Sequence, residues 1–170
     1  MRSMLRHSKG FGLGLILLML TQLTGCKEAF VSVNAPAPDL AVFDAAEKPL
    51  NLSDYQGKPM ILEFWSATCG ACLVMMKKWQ QVVSARPDDV AVIGVSIDKD
   101  HVDLNAFAND LGVTFPLGFD QMDITRERYQ VSVTPTTFFI DQNGVVREMH
   151  IGYSEHMDLN QKINQLKTYK

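Results

Sequence analysis

Short apolar runs alternate with segments of helical periodicity through the middle of the chain. Residues 60–65 and 90–97 are almost continuously apolar, which predicts strands buried on both faces of a sheet. Each run is followed by apolar residues at helical spacing, which predict helices over about 69–85 and 102–111. This alternation predicts an α/β domain with a central sheet covered by helices on both faces.

The last third of the chain predicts a hairpin and a closing helix. Runs at 136–140 and 145–151 flank the segment 141–144, whose Asn-Gly pair favours a tight reversal. Ser154 is a preferred N-cap residue type, and it predicts a final helix that reaches Lys167. Two shorter elements, an extended run and a short helix, are predicted at 115–119 and 124–129.

The first 25 residues are typical of a secretory signal. Three basic residues precede an apolar run at 11–20 that is too short to span a bilayer comfortably. The run leads into Leu23-Thr24-Gly25-Cys26, which resembles the lipobox of bacterial lipoproteins. The resemblance implies a signal peptide over 1–25 and a lipid on Cys26. An ordinary signal peptide or an uncleaved anchor is the alternative.

The segment that follows predicts a tether and then the start of the domain. Residues 26–37 are mostly small or polar and end in a proline-punctuated stretch, so we expect a lipidated tether in front of a domain at 38–170. Apolar residues alternate with turn residues over 39–54, which predicts a small N-terminal hairpin.

Composition and charge exclude some classes of function. The chain has 170 residues, of which 46% are hydrophobic, so one compact domain is expected. Removing residues 1–25 takes away three of the 16 basic residues and none of the 19 acidic ones, which makes the net charge more negative than −3. A nucleic-acid partner is therefore disfavoured, because phosphate binding needs a concentrated basic surface.

The two remaining cysteines carry the candidate chemistry. If Cys26 is acylated, Cys69 and Cys72 are left as an isolated pair in a compartment that permits disulfides. Cys69 lies at a predicted strand-to-helix junction, where free backbone N–H groups and the helix dipole stabilise a thiolate. The pKa of the first thiol in such pairs falls to roughly 3.5–7.5. Cys69 is the predicted nucleophile and Cys72 the resolving thiol.

The segment 64–72, FWSATCGAC, resembles the active site of the thioredoxin superfamily, especially its membrane-anchored TlpA-like branch of thiol:disulfide oxidoreductases. Four further stretches match this branch in order: 37–40, 57–59, 134–138 and 140–144. The resemblance implies a thioredoxin-like fold with a central mixed sheet, an N-terminal hairpin extension and a helix-strand insertion at 101–120. It also implies disulfide exchange with extracytoplasmic proteins, with no cofactor, on the periplasmic side of the bacterial envelope. Reduction is the expected direction, fed by a membrane thiol donor, and cytochrome c maturation is a candidate role.

The resemblance also implies roles for individual residues. Pro135 matches the family's cis-proline beside the disulfide, and it would expose the backbone of Thr134 to an extended substrate strand. An ordinary trans proline is the alternative. Trp65 would pack beside the pair and help to bind substrate, although core filling alone is as plausible a role.

Glu63 interrupts an otherwise apolar strand, six positions before Cys69. Cytoplasmic thioredoxins carry a buried acid at this position. Burial raises the pKa of a carboxyl, which would let Glu63 take the proton from Cys72. An exposed strand-end glutamate is the alternative.

Three positions depart from the family pattern: Thr68, Ala71 and Met75. They replace a tryptophan, a proline and, in some anchored members, an acid. They leave the reaction type unchanged but leave the redox potential and the choice of partner open.

Three rival functions remain. A metal site would need further ligands, and the available histidines, His101, His150 and His156, are scattered. A peroxidase of the peroxiredoxin type would place a proline where Leu62 stands, although Ser66 fits its hydroxyl position. A lipid-tethered binding module with a structural disulfide is the third, but so short a loop gives little stabilisation.

Overall fold

The computed structural model describes residues 29–169. A short 3-10 helix at Leu52–Tyr55 precedes the main elements. In chain order these are β1 (Met60–Trp65), α1 (Gly70–Ala85), β2 (Ala91–Ser96), α2 (Leu104–Leu111), β3 (Leu117–Phe119), α3 (Ile124–Arg128), β4 (Thr136–Ile140), β5 (Val146–Ile151) and α4 (Leu159–Leu166).

The strands form one five-stranded mixed sheet in the order β3-β2-β1-β4-β5. β1, β2 and β3 are parallel, whereas β4 is antiparallel to both β1 and β5. The predicted central mixed sheet is confirmed. Because β1, β2 and β3 run in the same direction, the residues that follow each of these strands lie at the same end of the sheet.

Both faces of the sheet are covered, as the apolar runs predict. Ile61 and Trp65 pack on one face with Trp79 of α1. Leu62 and Phe64 alternate with them and belong to a second core cluster on the opposite face. All of these side chains are at most 1% exposed. The continuous burial explains why this strand lacks the polar alternation of a half-exposed strand.

Two predicted elements differ in detail. The hairpin expected at 39–54 is reduced to a bridge between Phe43 and Pro49, followed by the 3-10 helix. The final helix begins at Leu159 instead of following Ser154, because Asp158 is the N-cap and its carboxylate accepts a hydrogen bond from the Gln161 N–H. Both Ser and Asp are favoured N-caps, so residue type alone does not select between them.

The last residues of the predicted tether over 26–37 form backbone hydrogen bonds with the domain. The Asn34 N–H donates to the Val146 carbonyl at 2.7 Å, and the Ala37 N–H donates to the Gly144 carbonyl at 2.9 Å. Backbone hydrogen bonds need no particular side chain, so the residue types of this segment do not predict them. The edge strand β5 thereby gains a short partner at its first residue.

The predicted signal peptide at 1–25 and lipidation site at Cys26 lie outside the described residues. Within the range 29–169, no helix combines the length and apolarity needed to cross a membrane.

Candidate active site

Cys69 lies between the end of β1 and the first residue of α1. It is the N-cap of α1, with extended backbone angles, and its Sγ accepts a hydrogen bond from the Cys72 N–H at 3.2 Å. An unpaired N–H at a helix start stabilises negative charge on a side chain placed there. The same contact would stabilise a Cys69 thiolate in the reduced protein.

The two cysteines form a disulfide bond, with their Cα atoms 5.2 Å apart. They differ in exposure: Cys69 is partly exposed, whereas Cys72, in the first turn of α1, is completely buried. Only Cys69 is therefore accessible to a large disulfide substrate. This asymmetry agrees with the predicted order of attack and resolution.

The peptide bond between Thr134 and Pro135 is cis, as the resemblance implies. It lies just before β4 and beside the disulfide, because the Thr134 carbonyl oxygen is 3.6 Å from Cys69 Sγ. The Pro135 carbonyl already accepts a hydrogen bond from the Gly152 N–H at 2.8 Å. The exposed residue next to this loop is Val133, which is 48% exposed.

Glu63 is completely buried in the centre of β1, so the alternative of an exposed strand-end glutamate is wrong. Its Oε2 accepts hydrogen bonds from the Thr137 hydroxyl at 2.6 Å and from the Trp79 indole N–H at 3.2 Å, while its Oε1 has no protein partner. Burial raises the pKa of Glu63 from 4.5 to about 7, and the two hydrogen bonds lower it in part. A carboxyl with this pKa can accept and release a proton near neutrality.

Trp65 is completely buried and stacks on Phe107, with ring centroids 4.1 Å apart. It belongs to the core cluster that contains Cys72. Direct contact with a substrate would need an exposed side chain, so the predicted substrate-binding role is not supported. Packing beside the pair and filling the core are both compatible with this position, and a substrate-binding role for Trp65 stays a prediction.

Sequence reasoning missed Asp98, which lies just beyond the end of β2. Its carboxylate accepts hydrogen bonds from the Ser66 hydroxyl at 2.6 Å and from the Ala67 N–H at 3.0 Å. It therefore contacts the loop that leads into Cys69. Because β1 and β2 are parallel neighbours, their ends meet at one edge of the sheet, and that topology is the signal that points to Asp98.

The structure adds no support for a metal site. In the part of the chain that is described, no group of three or more histidine, cysteine, aspartate or glutamate side chains is arranged to hold a metal ion. His101 instead packs edge-on against Phe119, with ring centroids 5.7 Å apart.

Comparison with known proteins agrees with this site. The AhpC/TSA family model matches residues 33–149. The chain is 30% identical to the thiol-disulfide oxidoreductase ResA of Geobacillus thermodenitrificans, over 81% of this chain and 79% of the relative. It is 29% identical to the thioredoxin-like protein YneN of Bacillus subtilis, over 89% of this chain and 95% of the relative.

A solved structure shares the fold. It is that of a Chlorobium tepidum protein assigned as a thiol:disulfide interchange protein DsbE, and it superposes with a TM-score of 0.69. The match covers 80% of this chain and 98% of the other, at 29% identity. With its family match, its mixed sheet and its paired cysteines, the chain belongs to the AhpC/TSA family and is a thiol-disulfide oxidoreductase of thioredoxin-like fold.

Proposed function

We propose that this protein reduces disulfides in extracytoplasmic protein clients, with Cys69 as the attacking thiol and Cys72 as the resolving thiol. The observation that supports the order is the difference in exposure, since Cys69 is partly exposed and Cys72 is completely buried. A thiolate must reach the client sulfur in line with its disulfide, and only an accessible thiol can do so.

The reaction consists of two exchanges. The Cys69 thiolate attacks one sulfur of the client disulfide, forming a mixed disulfide and releasing the other client sulfur as a thiolate. Cys72 then gives up its proton and attacks Cys69 Sγ, which releases the second client thiolate and closes the Cys69–Cys72 bond. Two electrons pass to the client, and a dithiol donor must return the pair to its reduced form.

Glu63 is the proposed acceptor of the Cys72 proton. Both groups are completely buried on the side of the sheet that α1 covers. Cys72 belongs to the same core cluster as Trp79, whose indole N–H donates a hydrogen bond to Glu63. A pKa of about 7 keeps part of the Glu63 population ionised at neutral pH, which is the state that accepts a proton. A buried thiol cannot ionise easily without such a partner.

The loop at Thr134 and Pro135 is the proposed client-binding element. The Thr134 carbonyl faces Cys69 Sγ at 3.6 Å, so a client strand that pairs with this backbone would hold its disulfide next to Cys69. Backbone pairing tolerates many client sequences, because the hydrogen bonds do not depend on side chains.

The proposed location is the bacterial cell envelope, with a lipid on Cys26 and the domain facing the periplasm. The lipobox resemblance supports the lipid, and a membrane thiol protein is the proposed electron donor. Replacing Cys26 by Ser should abolish incorporation of labelled fatty acid and release the protein from membranes. Unchanged labelling would contradict the lipid anchor without affecting the exchange chemistry.

The structure gives little support to a peroxidase. Leu62 stands where the peroxiredoxin pattern has proline, and the hydroxyl of Ser66 is committed to Asp98 at 2.6 Å. Cys69 also has a resolving partner within its own helix turn.

The decisive experiment is a trapping assay. Cys72→Ser should accumulate mixed disulfides with an added protein disulfide, because nothing resolves the Cys69 adduct, whereas Cys69→Ser should trap none. Peroxide turnover by the wild type at a rate above that of client reduction, together with an absence of trapped adducts, would replace this proposal by the peroxidase.

A further inference from the structure

The carboxylate of Asp98 is a junction between two strand ends. Besides Ser66 and Ala67, its Oδ2 accepts a hydrogen bond from the Ser96 hydroxyl at 2.8 Å. The Asp98 N–H lies 3.3 Å from the same hydroxyl oxygen. Asp98 is partly buried, so water competes only in part for these hydrogen bonds. The carboxylate thus joins the end of β2 to the loop that follows β1.

The bonds that Asp98 makes lead directly to the residues before the reactive thiol. Ser66 Oγ lies 3.4 Å from the Thr68 N–H and 3.2 Å from the Thr68 hydroxyl. The Ser66 carbonyl accepts a hydrogen bond from the Cys69 N–H at 3.1 Å. Ser66 is therefore held by Asp98 on one side and fixes the turn that ends at Cys69 on the other.

We propose that Asp98 is a positioning residue for disulfide exchange: through Ser66 and Ala67 it holds the loop that keeps Cys69 at the N-cap of α1. The proposal rests on the proposed role of Cys69 as the attacking thiol. Asp98 itself does not touch the client or either sulfur in this mechanism. It acts on the reaction through the angle and distance at which Cys69 Sγ meets the first N–H groups of the helix.

Two effects of the Asp98 carboxylate oppose each other. Its negative charge, by Coulomb repulsion, would raise the pKa of a nearby thiol, whereas its hydrogen bonds preserve the N-cap contact that lowers that pKa. Three donors satisfy the carboxylate, which reduces its field at a distance. The N-cap contact, in contrast, depends on one 3.2 Å bond to the Cys72 N–H. Removing Asp98 therefore raises the pKa of Cys69 through the lost N-cap contact by more than it lowers that pKa through the lost negative charge.

The test compares reduced full-length variants. Asp98→Ala removes the whole junction, Asp98→Asn removes the charge but keeps one acceptor oxygen, and Ser66→Ala removes only the link to the turn. Asp44→Asn is the matched control, because the Asp44 carboxylate likewise binds backbone N–H groups, those of Ala46 and Lys48, but only within its own turn. The readouts are the pH dependence of Cys69 alkylation, kcat and KM for client reduction, and thermal unfolding.

Asp98→Ala should raise the apparent pKa of Cys69 and lower kcat/KM about tenfold, mainly through kcat, since the attack geometry is lost. Asp98→Asn and Ser66→Ala should shift that pKa in the same direction by less, and Asp44→Asn should leave it unchanged. The Ser66→Ala and Asp98→Asn results decide the question even if Asp98→Ala fails to fold.

Two results would overturn the proposal. A lower melting temperature with an unshifted Cys69 pKa in all three variants would make Asp98 a purely structural residue. A fall in the Cys69 pKa in Asp98→Asn would make its charge the dominant effect. If wild-type Cys69 itself alkylates like a free cysteine, the proposed order of attack fails as well, and that result is visible before any variant is compared.

Discussion

The Thr137 hydroxyl of β4 donates a 2.6 Å hydrogen bond to Oε2 of Glu63 on the neighbouring strand β1. The two residues are cross-strand partners, so their side chains lie on the same face of the sheet beneath α1. This bond favours the ionised carboxylate, while complete burial disfavours it. The balance between the two leaves the pKa of Glu63 at about 7.

Replacing Glu63 by Gln should make the stability less dependent on pH. The folded protein binds the Glu63 proton more tightly than the unfolded chain does, so between pH 4.5 and 7 the wild type loses stability as the pH rises. At pH 8 the buried charge costs about 3 kcal/mol, which a neutral Gln avoids. Urea unfolding of the oxidised proteins at pH 4.5 and 8 measures the difference.

The matched control for this measurement is Glu127→Gln, since Glu127 is an exposed glutamate of α3. The change that this variant shows between the two pH values is the background for the comparison. If the effect of Glu63→Gln changes with pH by no more than this background, Glu63 does not titrate near neutrality, and its role as a proton acceptor is excluded.

Thr137→Val should raise the pKa of Glu63 above about 7, because it removes the hydroxyl that stabilises the carboxylate. The substitution preserves the shape of the side chain but removes a hydrogen bond that is worth about 1.5–3 kcal/mol when the acceptor is charged. The pH above which the stability difference between Thr137→Val and its Glu63→Gln double variant stops changing reports the new folded-state pKa. Thr136→Val is the control, since the Thr136 hydroxyl donates to the Val133 carbonyl instead. If this upper limit of the pH window stays at about 7, the hydrogen bond has no part in setting the pKa of Glu63.

Gly118→Ala should destabilise the contact between β3 and the N-terminal segment. A methyl group at Gly118 would lie 2.8 Å from Val42 Cγ2 and 2.9 Å from Leu50 Cδ1, both in the core. Overpacking of this kind costs about 1–3 kcal/mol in the free energy of unfolding. Gly70→Ala is the control, because nothing lies within 4 Å of its added methyl group. Equal denaturation midpoints for the two variants would show that the segment around Val42 is loosely packed.

The sequence predicts those features that depend on a local pattern. Continuous apolar character is enough to locate β1, and the helical spacing of the apolar residues after it is enough to place Cys69 at the start of α1. Glu63 is recognisable as a buried acid because it interrupts that apolar run. These signals work because burial and helix starts impose the same requirements in any fold.

Features that depend on which elements become neighbours could not be predicted in this way. Asp98 and Thr137 are ordinary polar residues in the sequence, and only the strand order brings them to Ser66 and Glu63. The backbone pairing of Asn34 is likewise invisible, because its bond to Val146 depends on the path of the chain.

Because Cys69 is partly exposed at the helix start, one measurement is the most direct test of the proposed chemistry. Reduced protein is alkylated across the range from about pH 4 to 10, and the modified peptides are separated by mass spectrometry to follow each thiol. Cys69 should react first, with an apparent pKa well below the ordinary value of about 8.5, while Cys72 stays protected. Equal reactivity of the two thiols, or an ordinary pKa for Cys69, would contradict the proposed order of attack and resolution.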